Sequence, residues 1–203
     1  MEKYPRFFTK FRWFRALVHS KQKSREYPDF IGKTDEPRIQ NVPYLLQLEY
    51  EFLVCSRNYR LSEKDTSSYW KAAKKYNIEK VLRGLIGKHE WVAIQGECVA
   101  PFVQGNKYHV AGVDLYVFNL VYPEGRVGSL ETKKTVEQYG MKFVPIVAES
   151  VKLTGMSVAE VLDYATGDSK LYPTLREEIV FRSKDGKRSF KAVSPELLIL
   201  HGE

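Results

Sequence analysis

Apolar residues recur along this chain with two periods, and the switches between them mark most of its expected secondary structure. Phe7, Phe11, Phe14 and Val18 fall at helical spacing among Arg6, Lys10, Arg12 and Arg15, which predicts a basic amphipathic helix of interfacial type. SKQKSREYPDF then interrupts the period with Ser, Lys and Pro28 and reads as a linker, so a boundary is expected near residue 27. Further on, Ser62 stands three residues before Asp65, a capping-box-like start to a helix carrying Tyr69, Ala72, Ala73, Tyr76, Val81 and Leu82, with a break expected at Asn77. HEWVAIQGECV alternates apolar and polar residues and reads as a strand, as do VDLYVFNLVY and KFVPIVA. Between the last two the spacing predicts a helix from Leu130 to Tyr139, closed by Gly140. Ser157 with Glu160 caps a further helix, SVAEVLDYA, whose stop is Gly167. EEIVFRSKDGKRSFKAVS sets two alternating runs, Glu178–Ser183 and Arg188–Val193, around Asp185-Gly186, a strong hairpin signal.

Strands and helices mix without a regular βαβ order, which predicts an α+β fold on an antiparallel sheet. With 203 residues and 43% hydrophobic content the chain can bury one substantial core and is not a disordered tail. Charge changes the picture further. The formal net charge is +7, and residues 1–25 hold the whole surplus, Glu2 being their one acid, while the rest of the chain is balanced. Two units follow: residues 1–27 as a basic arm and linker, and residues 28–203 as the folded domain. Such an arm is attracted to nucleic acid or to an anionic membrane surface. Cys55 and Cys98 both sit in apolar strand-like runs, as reduced buried thiols do. There is no apolar run of membrane-spanning length and no secretory pattern at the N-terminus, so the chain reads as soluble and cytoplasmic.

Taken singly, Arg57, Glu97, Glu177 and Lys191 pass for surface charges on strands, and Phe118 for core. Their order says more. GKTDEPRIQNVP (Gly32 to Pro43), CSRN (Cys55 to Asn58), WVAIQGECVAPFVQGNKY (Trp91 to Tyr108), LYVFNL, REEIVFRS (Arg176 to Ser183) and SFKAVSPELL (Ser189 to Leu198) together resemble the ATP-dependent RNA ligases. These are covalent nucleotidyltransferases related to DNA ligases and mRNA capping enzymes, with an ATP-grasp-like catalytic domain. The resemblance implies ATP or AMP as ligand, Mg2+ or Mn2+ as metal, and RNA ends as substrate in RNA repair. It makes Arg57 the arginine of the motif after the nucleophile strand, Glu97 the ribose ligand, Phe118 the base-stacking ring, Glu177 the metal carboxylate and Lys191 the α-phosphate contact. Glu178 stands where relatives carry glycine, so the pocket's shape departs from theirs.

These enzymes attack ATP with the lysine of a K-x-D-G motif, on a strand that belongs between the NVPYLL and SRN segments. Here only QLEYEFLV separates Leu46 from Cys55, without lysine or glycine. One core strand and the adenylylation lysine are therefore expected to be missing. Lys33 in KTDE belongs to the lead-in segment, Lys152 in KLTG follows the stacking motif, and Lys184 lies in a hairpin turn, so none is placed to serve. Self-adenylylation is then not expected. Three functions remain: a ligase-type domain that joins RNA ends already carrying AMP, a non-catalytic RNA- or nucleotide-binding protein, and a membrane-surface protein held by its basic arm.

Overall fold

The computed structural model describes residues 13–20, 50–56, 60–64, 66–101 and 109–200. Strands β1 (Trp13–Ser20), β2 (Tyr50–Cys55), β3 (Trp91–Val99), β4 (Asp114–Tyr122), β5 (Gly125–Arg126) and β6 (Lys142–Phe143) form the main sheet. Its order is β2-β1-β3-β4-β5, with β6 added to β4 in parallel and every other pairing antiparallel. A hairpin of β7 (Glu178–Arg182) and β8 (Ser189–Val193) makes a separate two-stranded sheet. Helices α1 (Ser68–Lys75), α2 (Ile78–Leu85), α3 (Ser129–Gln138), α4 (Val158–Ala165) and α5 (Pro195–Leu200) complete the α+β architecture.

Period-2 alternation sorts the sheet's side chains. Phe14, Ala16 and Val18 of β1, Val54 of β2, Val92 and Ile94 of β3, and Leu115, Val117 and Leu120 of β4 are buried with Trp70, Ile78 and Leu82 of α1 and α2. Phe14 stacks on Tyr69 with ring centroids 6.3 Å apart, and Phe52 meets Trp70 edge-on at 5.7 Å. A second, smaller core lies between α4 and the hairpin, where Ala165 packs with Ile179, Phe181 and Ala192.

At the start of β4, Asp114 ties three elements together. Its carboxylate accepts from Lys142 Nζ of β6 at 2.5 Å, from Lys75 Nζ of α1 at 3.4 Å, and from the Tyr76 hydroxyl. Burial pushes its carboxyl up, but the bonds from Lys142, Tyr76 and the Leu115 N–H outweigh that and hold it below the ordinary value. Burial and the same carboxylate push the Tyr76 phenol up.

The basic helix expected over Phe7–Val18 is corrected. Its described part is β1, hydrogen-bonded to β2 on one side and β3 on the other. Phe14 and Val18 are four apart, a spacing shared by a helix face and a strand face; Ala16, buried with them, fits only the strand. A boundary at residue 27 would thus cut β1 from the sheet it lies within, and the remainder of the arm is outside the described residues. The expected missing strand is likewise not a gap in the sheet, because β1 stands between β2 and β3 and satisfies the edges of both.

Other differences are local. The first helix begins at Ser68, not at the Ser62 signal, and Asn77 breaks it with φ of 49°. KFVPIVA yields only Lys142–Phe143, since Pro145 has no N–H with which to continue pairing. The capping box of Ser157 and Glu160 is present with both of its bonds, and Cys55 and Cys98 are buried thiols that form no disulfide. Among the described residues no helix is long and apolar enough to cross a membrane.

Candidate nucleotide site

The helix-covered face of the main sheet is apolar; the opposite face carries a small apolar cluster of Leu17, Leu53, Cys55 and Ala93 and, beside it, the polar chemistry. Register places Arg15 of β1 opposite Gln95 of β3, and Gln95 opposite Asn119 of β4, so these three side chains form one row across the sheet. Glu97, two residues along β3, lies on the same face. Beside this row the β3–β4 register shifts: Gln95 faces Asn119 but Gly96 faces Val117, leaving Phe118 as the extra residue of a bulge. A bulge re-aims a side chain out of the regular alternation, and here it presents the Phe118 ring beside the polar row. Gly96 is required for this packing, because a Cβ there would lie 2.7 Å from Tyr116 O and 2.9 Å from Leu115 Cδ1.

The hairpin closes over that face. Ile179, Phe181 and Ala192 point toward α4, which leaves Glu178, Val180, Arg182 and Lys191 on the other side. Arg182 makes the bridge: its Nη1 donates to Phe118 O at 2.7 Å and to Asn119 Oδ1 at 2.5 Å, and its guanidinium lies 5.9 Å from the Phe118 ring centroid. The hairpin tip is held separately. Arg126 of β5 donates to Ser189 Oγ and to Lys187 O, each at 3.4 Å, and a Cβ on Gly186 would come within 3.2 Å of Arg126 O. Burial, and secondarily the charge of Arg126, push the Arg182 guanidinium below its ordinary pKa.

Glu177 sits immediately before β7, with its backbone pinned from both sides. Its carbonyl accepts from Ser194 N at 2.9 Å, and the preceding N–H of Arg176 donates to Gly167 O at 2.9 Å. The Arg176 guanidinium meanwhile binds the carbonyls of Tyr164, Ala165 and Thr166 at the end of α4. Lys191 donates to Glu178 Oε2 at 2.7 Å, so the glutamate that replaces the usual glycine holds the lysine expected at the α-phosphate. Arg57 lies outside the described residues. Of the expected residues, then, Glu97 and Phe118 share the polar side of the sheet, while Glu177 and Lys191 ride on the hairpin that Arg182 fastens to it. Among the described residues no group of three or more His, Cys, Asp or Glu side chains is arranged to hold a metal ion.

Arg15, Gln95, Asn119 and Arg182 were not singled out by the sequence. Each looks like an ordinary polar position on an alternating strand, and the available signal was parity: Gln95 shares parity with Glu97, and Arg182 shares parity with Glu178.

The RNA ligase family model matches residues 10–193. Among solved structures, a mutant of Naegleria gruberi RNA ligase with ATP and Mn superposes with a TM-score of 0.69 at 23% identity, covering 96% of this chain and 53% of that one. The Naegleria gruberi enzyme with PPi gives 0.69 at 24%, over 95% and 52% of the two chains. Another mutant with AMP and Mn gives 0.69 at 24%, over 95% and 53%. At these identities the likeness shows a common fold, and the chain spans about half the length of those relatives. No curated protein matches it. With nine-tenths of its length under one family model, and with the fold to go with it, the chain belongs to the RNA ligase family.

Proposed function

We propose that this chain is an RNA ligase-type nucleotidyltransferase domain that binds ATP or AMP between the polar face of the main sheet and the β7–β8 hairpin, and that joins RNA ends already carrying AMP. The observation that carries this reading is the Arg182 bridge, which fastens the hairpin bearing Glu177 and Lys191 onto the strand bearing Phe118. In this site the Phe118 ring stacks on the base, Glu97 accepts from the ribose hydroxyls, and Lys191 faces the α-phosphate oxygens. Glu177 would be the protein ligand of Mg2+ or Mn2+, ions ordinarily held by one or two carboxylates plus substrate phosphates. When bound, the metal supplies charge neutralisation on the phosphate oxygens.

In the joining step the RNA 3′-OH attacks the 5′-phosphorus of the adenylylated end. A phosphodiester forms and AMP leaves with the bonding pair, so no enzyme nucleophile is needed. The test offers pre-adenylylated RNA without ATP, and joined product is the expected result. An RNA- or nucleotide-binding protein without activity would bind these ends and leave them unjoined. Incubation with labelled ATP and Mg2+ or Mn2+ is expected to give no covalent protein adduct, since no lysine lies between Leu46 and Cys55.

One observation favours a second reading of the adenylylation step. β1 pairs with β2, the strand leading into SRN, and also with β3, which is where a nucleophile strand placed directly before β2 would pair as a hairpin. Lys10 stands three residues ahead of Trp13 in KFRW, which departs from K-x-D-G at its last two positions. Lys10 itself lies outside the described residues. A protein one AMP heavier in the mass spectrum, with the modification on Lys10 and abolished in Lys10→Ala, would establish this second reading and end the first.

A further inference from the structure

The tip of the β7–β8 hairpin gathers positive charge. Lys184, Lys187 and Arg188 are exposed there, and Arg126 lies against Lys187 O and Ser189 Oγ. Residues 26–203 carry equal numbers of basic and acidic residues, so this surplus is local. Asp185 is the one acid of the turn, and its carboxylate is spent on the turn itself, accepting from Ser183 Oγ and from Lys187 N at 3.1 Å. Among the described residues Lys184, Lys187, Arg188 and Arg126 make no salt bridge. Like charges held this close repel one another, and a polyanion laid across them relieves the repulsion.

An aromatic ring stands beside these cations. Phe190 lies opposite Phe181 in the hairpin register and stacks on it with centroids 4.9 Å apart and planes 14° apart, and Phe181 in turn meets Tyr164 of α4 at 6.0 Å. The stack anchors Phe190 from behind, yet Phe190 is 47% exposed where Phe181 is 8% exposed. Phe181 covers one face of the ring, so the exposure lies on its other face and edges. Arg188 comes two residues earlier on the same side of the hairpin, roughly 7 Å along the chain. Lys191 has the opposite parity, so this surface is on the other side of the hairpin from the nucleotide site.

We propose that the hairpin tip and the outer face of Phe190 are a docking surface for single-stranded RNA, which runs past the hairpin to the end being joined. Phosphates of the strand lie on Lys184, Lys187 and Arg188, and one unpaired base stacks on Phe190. Clustered cations beside an exposed ring grip single strands of any sequence, because every base has a π-face and only an unpaired base can offer it. This inference rests on the reading above for its choice of RNA and adds to it the path by which the strand reaches the site. Three residues of β8 separate Arg188 from Lys191, about 10 Å, so the surface touches RNA just beyond the nucleotide and not the nucleotide itself.

The test titrates a labelled single-stranded RNA of about twelve nucleotides with the full chain and follows fluorescence anisotropy. The double variant Lys187→Gln, Arg188→Gln is expected to weaken binding about ten-fold at low salt and to flatten the plot of log Kd against log salt by about 1.4, as two lost phosphate contacts do. Phe190→Leu, which keeps an apolar side chain against Phe181, is expected to weaken RNA binding about five-fold with the salt slope unchanged. Heparin, a polyanion without bases, should respond to the double variant and not to Phe190→Leu. AMP should bind all of these proteins alike. Variants that bind RNA as the wild type does, or that lose AMP as strongly as RNA, would overturn the inference. So would a Phe190→Leu protein that loses heparin as strongly as RNA, since the surface would then serve acidic partners in general. Failure of the underlying reading looks different: the wild type would bind no AMP and join no pre-adenylylated ends, whatever the hairpin variants do to RNA.

Discussion

The two faces of the main sheet are made by the same four strands under opposite rules. On the helix side Phe14, Val54, Ile94, Val117 and Leu120 close into a core with α1 and α2. On the other side Arg15, Gln95, Glu97 and Asn119 stand in the same strands, one residue out of phase, facing a hairpin held by Arg182. A one-residue step along β3, from Ile94 to Gln95, passes from dry packing to a donor-rich surface. Parity thus separates the helix-covered core from the polar row, although the open face also carries a small apolar cluster of Leu17, Leu53, Cys55 and Ala93. Neighbouring substitutions should therefore have unlike consequences.

The largest effect belongs to the helix side. Ile94→Ala, at a fully buried position, should cost about 2–5 kcal/mol, read as a lowered midpoint in urea denaturation. On the open side, Arg182→Met should cost about 1–3 kcal/mol in the same measurement, since Phe118 O and the buried Asn119 Oδ1 lose their donor. Its AMP affinity should also fall about ten-fold, seen by calorimetric titration, because the hairpin loses its bond to β4. A smaller change of opposite sign is expected from Glu178→Gly, which releases Lys191 from its partner and should tighten AMP binding by about three-fold. Equal binding in that variant would show that Lys191 does not reach the nucleotide.

The smallest effect lies at the start of β4. Asp114 has a folded pKa held below its ordinary value, so its cluster with Lys142 and Tyr76 stabilises the fold fully above the ordinary carboxylate range. That contribution is lost as the pH falls through the depressed folded value. In Asp114→Asn the stability should vary less over this acid window than in the wild type, checked by melting curves at stepped pH.

Much of the sheet was legible because the runs that become β3 and β4 are rich in strand-forming residues, despite the bulge at Phe118, and because Asp185-Gly186 fixes the hairpin. Glu97, Phe118, Glu177 and Lys191 were singled out through motif order, which does not give the pairing of Lys191 with Glu178, a contact between diagonal neighbours of two strands. The N-terminal segment misled because residues four apart satisfy both periods, and only long-range pairing with β2 and β3 decides between them. Arg182 was hidden for a related reason: its partner lies 63 positions away, and no local pattern encodes that distance.

Among the described strands β1 comes first, yet its two partners arrive much later, β2 at Tyr50 and β3 only by Val99. During synthesis this strand leaves the ribosome before either of these partners, and a nascent chain halted before β3 lacks the one that starts at Trp91. Assembly of the sheet is therefore a late, non-local event, slow by topology, and an unfinished chain is at risk of pairing with its neighbours on the same message.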